Sequence, residues 1–136
     1  TNSNVEYIGE ITEHQKAAFL GGASALLFPI DWEEPFGLVM IEAMACGTPV
    51  IAFRRGSAPE VIRPAVSGVL VHNVDQAVEA AAGVLALDRR LVRAEFEERF
   101  TAERMARDYV EAYQQLIGPP QVLGRATPAE KIALAI

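Results

Sequence analysis

Apolar residues in this chain gather into short unbroken runs, separated by stretches with helical spacing. Ala25-Leu26-Leu27-Phe28, Pro49-Val50-Ile51-Ala52-Phe53 and Gly68-Val69-Leu70-Val71 are runs of strand length without alternation. That pattern suits parallel strands buried on both faces. Val5 to Ile8 is a fourth short run, ending at Gly9. Thr12, with Gln15 three residues on, is a capping-box start for a helix through about Gly21-Gly22. Asn73 with Gln76 resembles another, opening a helix with Val78, Ala81, Ala82 and Leu85 in phase. Pro59 to Ile62 reads as a helical turn, and Leu91, Val92, Glu95 and Phe96 as a short helix. Thr101 opens a long helix with Met105, Tyr109, Tyr113 and Leu116 at helical spacing, and Gly118-Pro119-Pro120 stops it. A last N-cap signal, Thr127-Pro128-Ala129-Glu130, precedes Lys131 to Ile136. Four strands alternating with helices predict an α/β fold of βαβ units with right-handed crossovers.

In such sheets ligands bind beyond the carboxyl ends of the strands. The exits fall at Gly9-Glu10, Ile30 to Pro35, Arg54 to Ser57 and His72-Asn73. The most unusual stretch starts at the second exit. It runs acidic through Asp31-Trp32-Glu33-Glu34, passes Pro35 and Gly37, and becomes apolar with one carboxylate, Glu42, before Gly47 and Pro49. Pro near the start and Gly past the end punctuate one short helix beginning near Pro35. Such a start leaves the amides of Phe36, Gly37 and Leu38 unpaired at the positive dipole end, a seat for a phosphate or diphosphate. Gly37 lacks a Cβ, so a ligand can approach the backbone closely. Carboxylates accept hydrogen bonds well from vicinal hydroxyls, which places Glu42 on a ribose diol and Glu34 on hydroxyls of a second sugar. Glu34 could also stabilise positive charge developing on that sugar.

Composition narrows the classes. The 136 residues are 51% apolar and 22% charged, enough for one domain with an adequate core. A net charge of −6 without a basic stripe argues against nucleic acid as a partner. An anionic ligand must then be held by local backbone dipoles or a few arginines. The single cysteine, Cys46, reads as a small buried hydrophobe in a reduced, intracellular chain. No run is long enough to span a bilayer, and the expected location is cytoplasmic or peripheral to the inner face of a membrane. There is no metal-ligand cluster, nucleophile elbow or glycine-rich dinucleotide fingerprint.

Plainer roles compete at each position. Glu33 reads best as a dipole complement or solvated loop charge, and Glu34 balances between that and a ligand contact. For Glu42 the main alternative is a salt bridge to an arginine, because unpartnered burial costs several kcal/mol. Arg54 and Arg55 read as loop charges or as phosphate neutralisers, and Gly56-Ser57 as a turn or as amide donors. His14 is a surface helix residue, His72 a lone imidazole at a strand exit, and Trp32 packs on the surface or lines the site.

Phe28-Pro29, Glu34 to Ala45, Gly47-Thr48-Pro49-Val50-Ile51, Pro59-Glu60-Val61-Ile62 and Gly68 to Val71 together resemble the C-terminal domain of glycosyltransferase family 4. The paired glutamates of that family, with seven residues between them, match Glu34 and Glu42, and the resemblance covers about residues 4 to 117. It implies a Rossmann-like three-layer sandwich with a mainly parallel sheet, the partial C-terminal half of a GT-B fold. The activity it implies is retaining transfer from a nucleotide sugar carrying UDP, GDP or ADP, with no cofactor beyond that substrate. Glu34 would contact the donor sugar, as the catalytic carboxylate, and Glu42 the ribose. The amides near Phe36, Gly37 and Leu38 would meet sugar and phosphate, Val39 would line the nucleotide side, and Arg54, Gly56 and Ser57 would edge the pocket.

The resemblance also implies missing parts: an N-terminal acceptor domain, two strands of the sheet and a basic Arg/Lys pair for the diphosphate. Residues 1–118 would be the partial donor domain and 119–136 a tail with a short helix. Val5 to Ile8 would then have to re-pair, stay loose or take a partner, and an open edge invites self-association. The isolated chain is expected to be inactive. A nucleotide-sugar-binding module without turnover is the alternative, and a GT-B epimerase a third reading that nothing here favours.

Overall fold

The structure, a computed structural model, describes residues 4–118. Among them three parallel strands, β1 (Leu26–Phe28), β2 (Val50–Phe53) and β3 (Gly68–Val71), form one sheet in the order β1-β2-β3. Leu26 pairs with Val50 and Val50 with Gly68, so the three strands start level, and β1 ends one residue short of its neighbours. Helices α1 (Glu13–Gly22), α2 (Leu38–Ala45), α3 (Ala58–Val61), α4 (Val74–Leu85) and α5 (Arg89–Arg99) complete a unit running to Thr101.

The alternating side chains of β2 separate two cores. Val50 and Ala52 join Phe28, Met40, Met44, Val61, Ile62 and Val92 on the α2 and α5 side. Ile51 faces the other way, with Val71 and Val84, under α4. A sheet between two helical layers is the α/β arrangement expected from the unbroken apolar runs. The capping box at Thr12 and Gln15 is present, and Asn73 accepts from the Gln76 amide at 2.9 Å to start α4. Gln76 returns its side chain to the His72 amide, 2.8 Å, one residue earlier than a standard box.

Two expectations fail. Val5 to Ile8 forms no strand: Val5 and Tyr7 are 72% and 93% exposed, and among the described residues β1 pairs only with β2. A three- or four-residue apolar run gains too little alone, so without a sheet edge beside it the segment stays extended and solvated. The second is the start of α2, at Leu38 rather than near Pro35. Gly37 takes a left-handed conformation, φ 71°, which stops the helix from reaching back through the proline.

Ala102–Ile117, α6, belongs to a second unit. It has the expected helical phase, and the rings of Tyr109 and Tyr113 lie 6.2 Å apart. The short helix anticipated after Thr127 lies outside the described residues.

Candidate functional site at the strand exits

The loops leaving β1 and β2 are fastened to each other before either reaches its helix. The Ser57 amide donates to the Glu34 carbonyl at 2.9 Å, and the Ser57 hydroxyl to the Phe36 carbonyl at 2.7 Å. The Gly56 amide donates to Glu33 Oε2 at 2.9 Å. Arg55 pairs with Asp31 at 2.6 Å. Contact is tight enough that a Cβ on Gly56 would stand 2.4 Å from the Glu34 carbonyl oxygen. Glu33, expected to be a dipole complement or a solvated loop charge, is exposed and also accepts the Gly56 amide, which closes the two loops. Gly56 and Ser57 place their polar groups on protein partners as well as at the edge of the site.

Glu34 is half-buried, and its Oε1 accepts the Gly37 amide at 3.2 Å. This corrects the expectation that the Phe36, Gly37 and Leu38 amides are all free. The short acidic turn folds back on its own helix start, where the dipole favours a carboxylate. The Met40 amide is taken by the Gly37 carbonyl, 2.9 Å. Among the described residues, the amides of Phe36, Leu38 and Val39 keep no protein partner. They form a donor cluster at the tip of an eight-residue helix, suited to an anion. Phe36 and Leu38 are exposed there, whereas Val39 is half-buried against the core. At Gly37 a Cβ would come within 2.7 Å of the Met40 methyl and 3.1 Å of the Phe28 ring.

Glu42 sits one turn further along α2, in a groove of about 230 Å³ between α1 and α2 that Leu20, Ala17, Ala45 and Cys46 line. Its side chain is 34% exposed, so the stranded carboxylate is partly solvated. Its partner is Lys16 of α1, Nζ to Oε1 2.9 Å, and not an arginine. Lys16 also bridges Glu13 at 2.7 Å. The two carboxylates, Glu13 first and then Glu42, raise the Lys16 pKa above that of an ordinary lysine. The sequence carries no signal for this contact beyond Lys16 lying on a helix with its capping box at Thr12.

A second hollow of about 150 Å³ gathers Glu33, Arg54, Arg55 and His72 over Phe53 and Val71 at the ends of β2 and β3. The fold thus brings Glu33, Glu34, Arg54, Gly56 and Ser57 to one edge, with Glu42 a turn away on the α1 side.

A family model described as glycosyl transferases group 1 matches residues 1–103. The chain belongs to that family. Its fold is that of the GT-B glycosyltransferases. Sucrose-phosphate synthase from Thermosynechococcus elongatus, 31% identical, superposes with a TM-score of 0.72 over 85% of this group 1 chain and 31% of its own. Anabaena HepE, solved in complex with UDP, is 23% identical and shares the fold, with a TM-score of 0.59 over 71% of this chain and 29% of its own. Among curated relatives, the D-inositol 3-phosphate glycosyltransferase of Mycobacterium marinum is 52% identical over 56 residues, 40% of this chain and 12% of that protein. The protein of the same name from Geodermatophilus obscurus is 44% identical over 84 residues, 59% of this chain and 19% of its own. The group 1 chain thus spans less than a fifth of the length of either relative. No helix among the described residues is long and apolar enough to cross a membrane.

Proposed function

We propose that this chain supplies part of the donor site of a retaining glycosyltransferase that uses a nucleotide sugar. The observation that carries the reading is the tip of α2, where three unpartnered amides stand beside the half-buried carboxylate of Glu34. Amides of Phe36, Leu38 and Val39 take the anionic diphosphate, which the chain's net charge of −6 would otherwise repel. Glu34, the candidate catalytic residue, meets hydroxyls of the donor sugar and stabilises the positive charge that grows as the bond to the diphosphate breaks. Glu42 accepts from the ribose diol. Arg54, with Gly56 and Ser57, edges the pocket, and its guanidinium has no partner among the described residues.

Transfer needs an acceptor wall, which the reading assigns to an N-terminal domain of a longer protein. The relatives named for D-inositol 3-phosphate make a phosphorylated cyclic polyol the first acceptor to assay with such a protein. Self-association through the open side of β1 is the partner expected of the isolated chain. Saturation-transfer NMR with UDP-, GDP- and ADP-sugars tests the donor reading. Signal on both ribose and sugar protons is expected for one of the three, weakened roughly tenfold or more in Glu34→Ala and Glu42→Ala, since hydrogen bonds to charged groups are worth about 1.5–3 kcal/mol. Absence of transfer to all three nucleotide sugars would overturn it. A full-length protein that binds donor yet never releases its nucleotide in the presence of acceptor would favour a binding module instead.

A further inference from the structure

Lys16 is an unusual choice for this chain. Ten of the twelve basic residues are arginines, and the other lysine is Lys131. The Lys16 ammonium reaches only one oxygen of Glu42, Oε1, at 2.9 Å, and Oε2 has no partner among the described residues. An arginine fork at this place would take both oxygens side by side, whereas a lysine is a point charge that occupies one. Service to α1 alone does not account for it, because the bridge to Glu13 joins a side chain that is 83% exposed, and such pairs contribute little. Its second partner lies instead across the groove that Glu42 lines.

We propose that Lys16 is a positioning residue for nucleotide recognition: by holding Oε1 of Glu42 it fixes the carboxylate with Oε2 presented to the ribose hydroxyls. The inference rests on the ribose role given to Glu42 above. It adds a second residue to the ribose recognition, on a different helix and with no contact to the ligand of its own. Glu13, on the far side of the ammonium, restrains Lys16 from following the ligand. α1 and α2 are thereby coupled through a single carboxylate, and the α1 side of the groove sets how well a diol is told from its absence.

The test uses UDP, GDP and ADP, each beside its 2′,3′-dideoxy form, titrated into the 136-residue chain and followed by amide NMR shifts. For the diphosphate that binds, the unmodified chain is expected to prefer the diol about tenfold or more, the worth of a hydrogen bond to a charged group. Lys16→Met should bring that ratio to within about threefold of one, with the dideoxy affinity unchanged within about twofold. Lys16→Arg keeps the charge and the helix propensity, and should still lose most of the preference because its fork covers Oε2. A general structural role would instead be rescued by arginine and would move both affinities together, which would overturn the proposal. If Glu42→Gln leaves the ratio intact, the ribose reading itself fails. If Glu42→Gln abolishes the ratio while Lys16→Met and Lys16→Arg preserve it, the positioning role alone is wrong. Should Lys16→Met fail to fold, Lys16→Arg carries the same decision.

Discussion

Gly56 shows how narrowly a single residue can be constrained here. Its φ is 49°, and a methyl group on it would lie 2.4 Å and 2.5 Å from the backbone oxygen and nitrogen of Glu34. Gly56→Ala should cost upwards of about 1 kcal/mol from the left-handed conformation alone, and more because the obstacle is backbone. The thermal midpoint should fall, and donor saturation-transfer signals should weaken as the Glu33-Glu34 loop separates from α3. Asp88 offers a test of sign. It caps α5, accepting from the Arg90 amide at 2.9 Å, and the Arg90 guanidinium, followed by that amide, lowers its pKa. A carboxyl held lower in the folded state contributes stability above its unfolded value, about pH 4, and loses it as pH falls through the folded value. The gap in melting temperature between the unmodified chain and Asp88→Asn should be full near neutrality and close progressively below about pH 4. Residue roles were legible where chemistry was out of place. Glu42 stood out because it interrupts an apolar helix, while its true partner did not, since nothing local distinguishes Lys16 from a surface lysine.

Among the elements, the strands and most helices were written in periodicity, because burial on both faces or on one stripe leaves a direct trace in the residue order. The start of α2 was not. Pro35 fits the first turn of a helix as well as it fits a loop, and what decides the matter is tertiary: the Ser57 hydroxyl holds the Phe36 carbonyl, and Gly37 turns left-handed. Nor could the apolar run at Val5 reveal that no strand awaits it. α5 is a middle case. Glu95 fell in phase with Leu91, Val92 and Phe96, a carboxylate on an apolar stripe, and it is 3% exposed. It accepts from Arg63 at 2.9 Å and Arg99 at 2.6 Å, and Arg99 also donates to the carbonyls of Glu60 and Val61. The end of α3 is thus bolted to α5. Glu95→Ala should cost about 2–3 kcal/mol, somewhat under the usual loss for breaking a buried pair because both arginines still reach water. Urea unfolding would read it directly, and Arg63→Ala, at a half-exposed partner, should cost less.

At the scale of the molecule, the α4 face of the sheet is incompletely covered. Leu27 is 66% and Val78 71% exposed, and with Pro29, Phe53, Val71 and Val74 they line an apolar groove of about 280 Å³. β1 beside it has no strand on its outer edge among the described residues. An open edge flanked by apolar surface favours pairing between copies. Sedimentation of the isolated chain should show concentration-dependent association, and Leu27→Lys should reduce it without lowering the melting temperature by more than a degree or two, given how little Leu27 buries. An unchanged distribution would show that the groove is not the contact.

The guanidinium of Arg89 ties together segments that lie far apart in the chain. From the start of α5 it donates to the carbonyls of Gly21 and Ala23 at 2.7 Å each and to the Thr48 hydroxyl at 2.8 Å. The Thr48 hydroxyl in turn donates to the Leu20 carbonyl at 2.7 Å. The end of α1 and the turn after α2 are thus clasped by a residue that arrives more than sixty positions after the first of them. Every residue of the candidate site from Asp31 to Ser57 lies inside the loop that this clasp closes. During synthesis the bonds between Glu33, Glu34, Phe36, Gly56 and Ser57 can form before Arg89 emerges, but the clasp over α1 and Thr48 cannot. The edge at the strand exits is thus enclosed by a contact made far downstream of it in the chain.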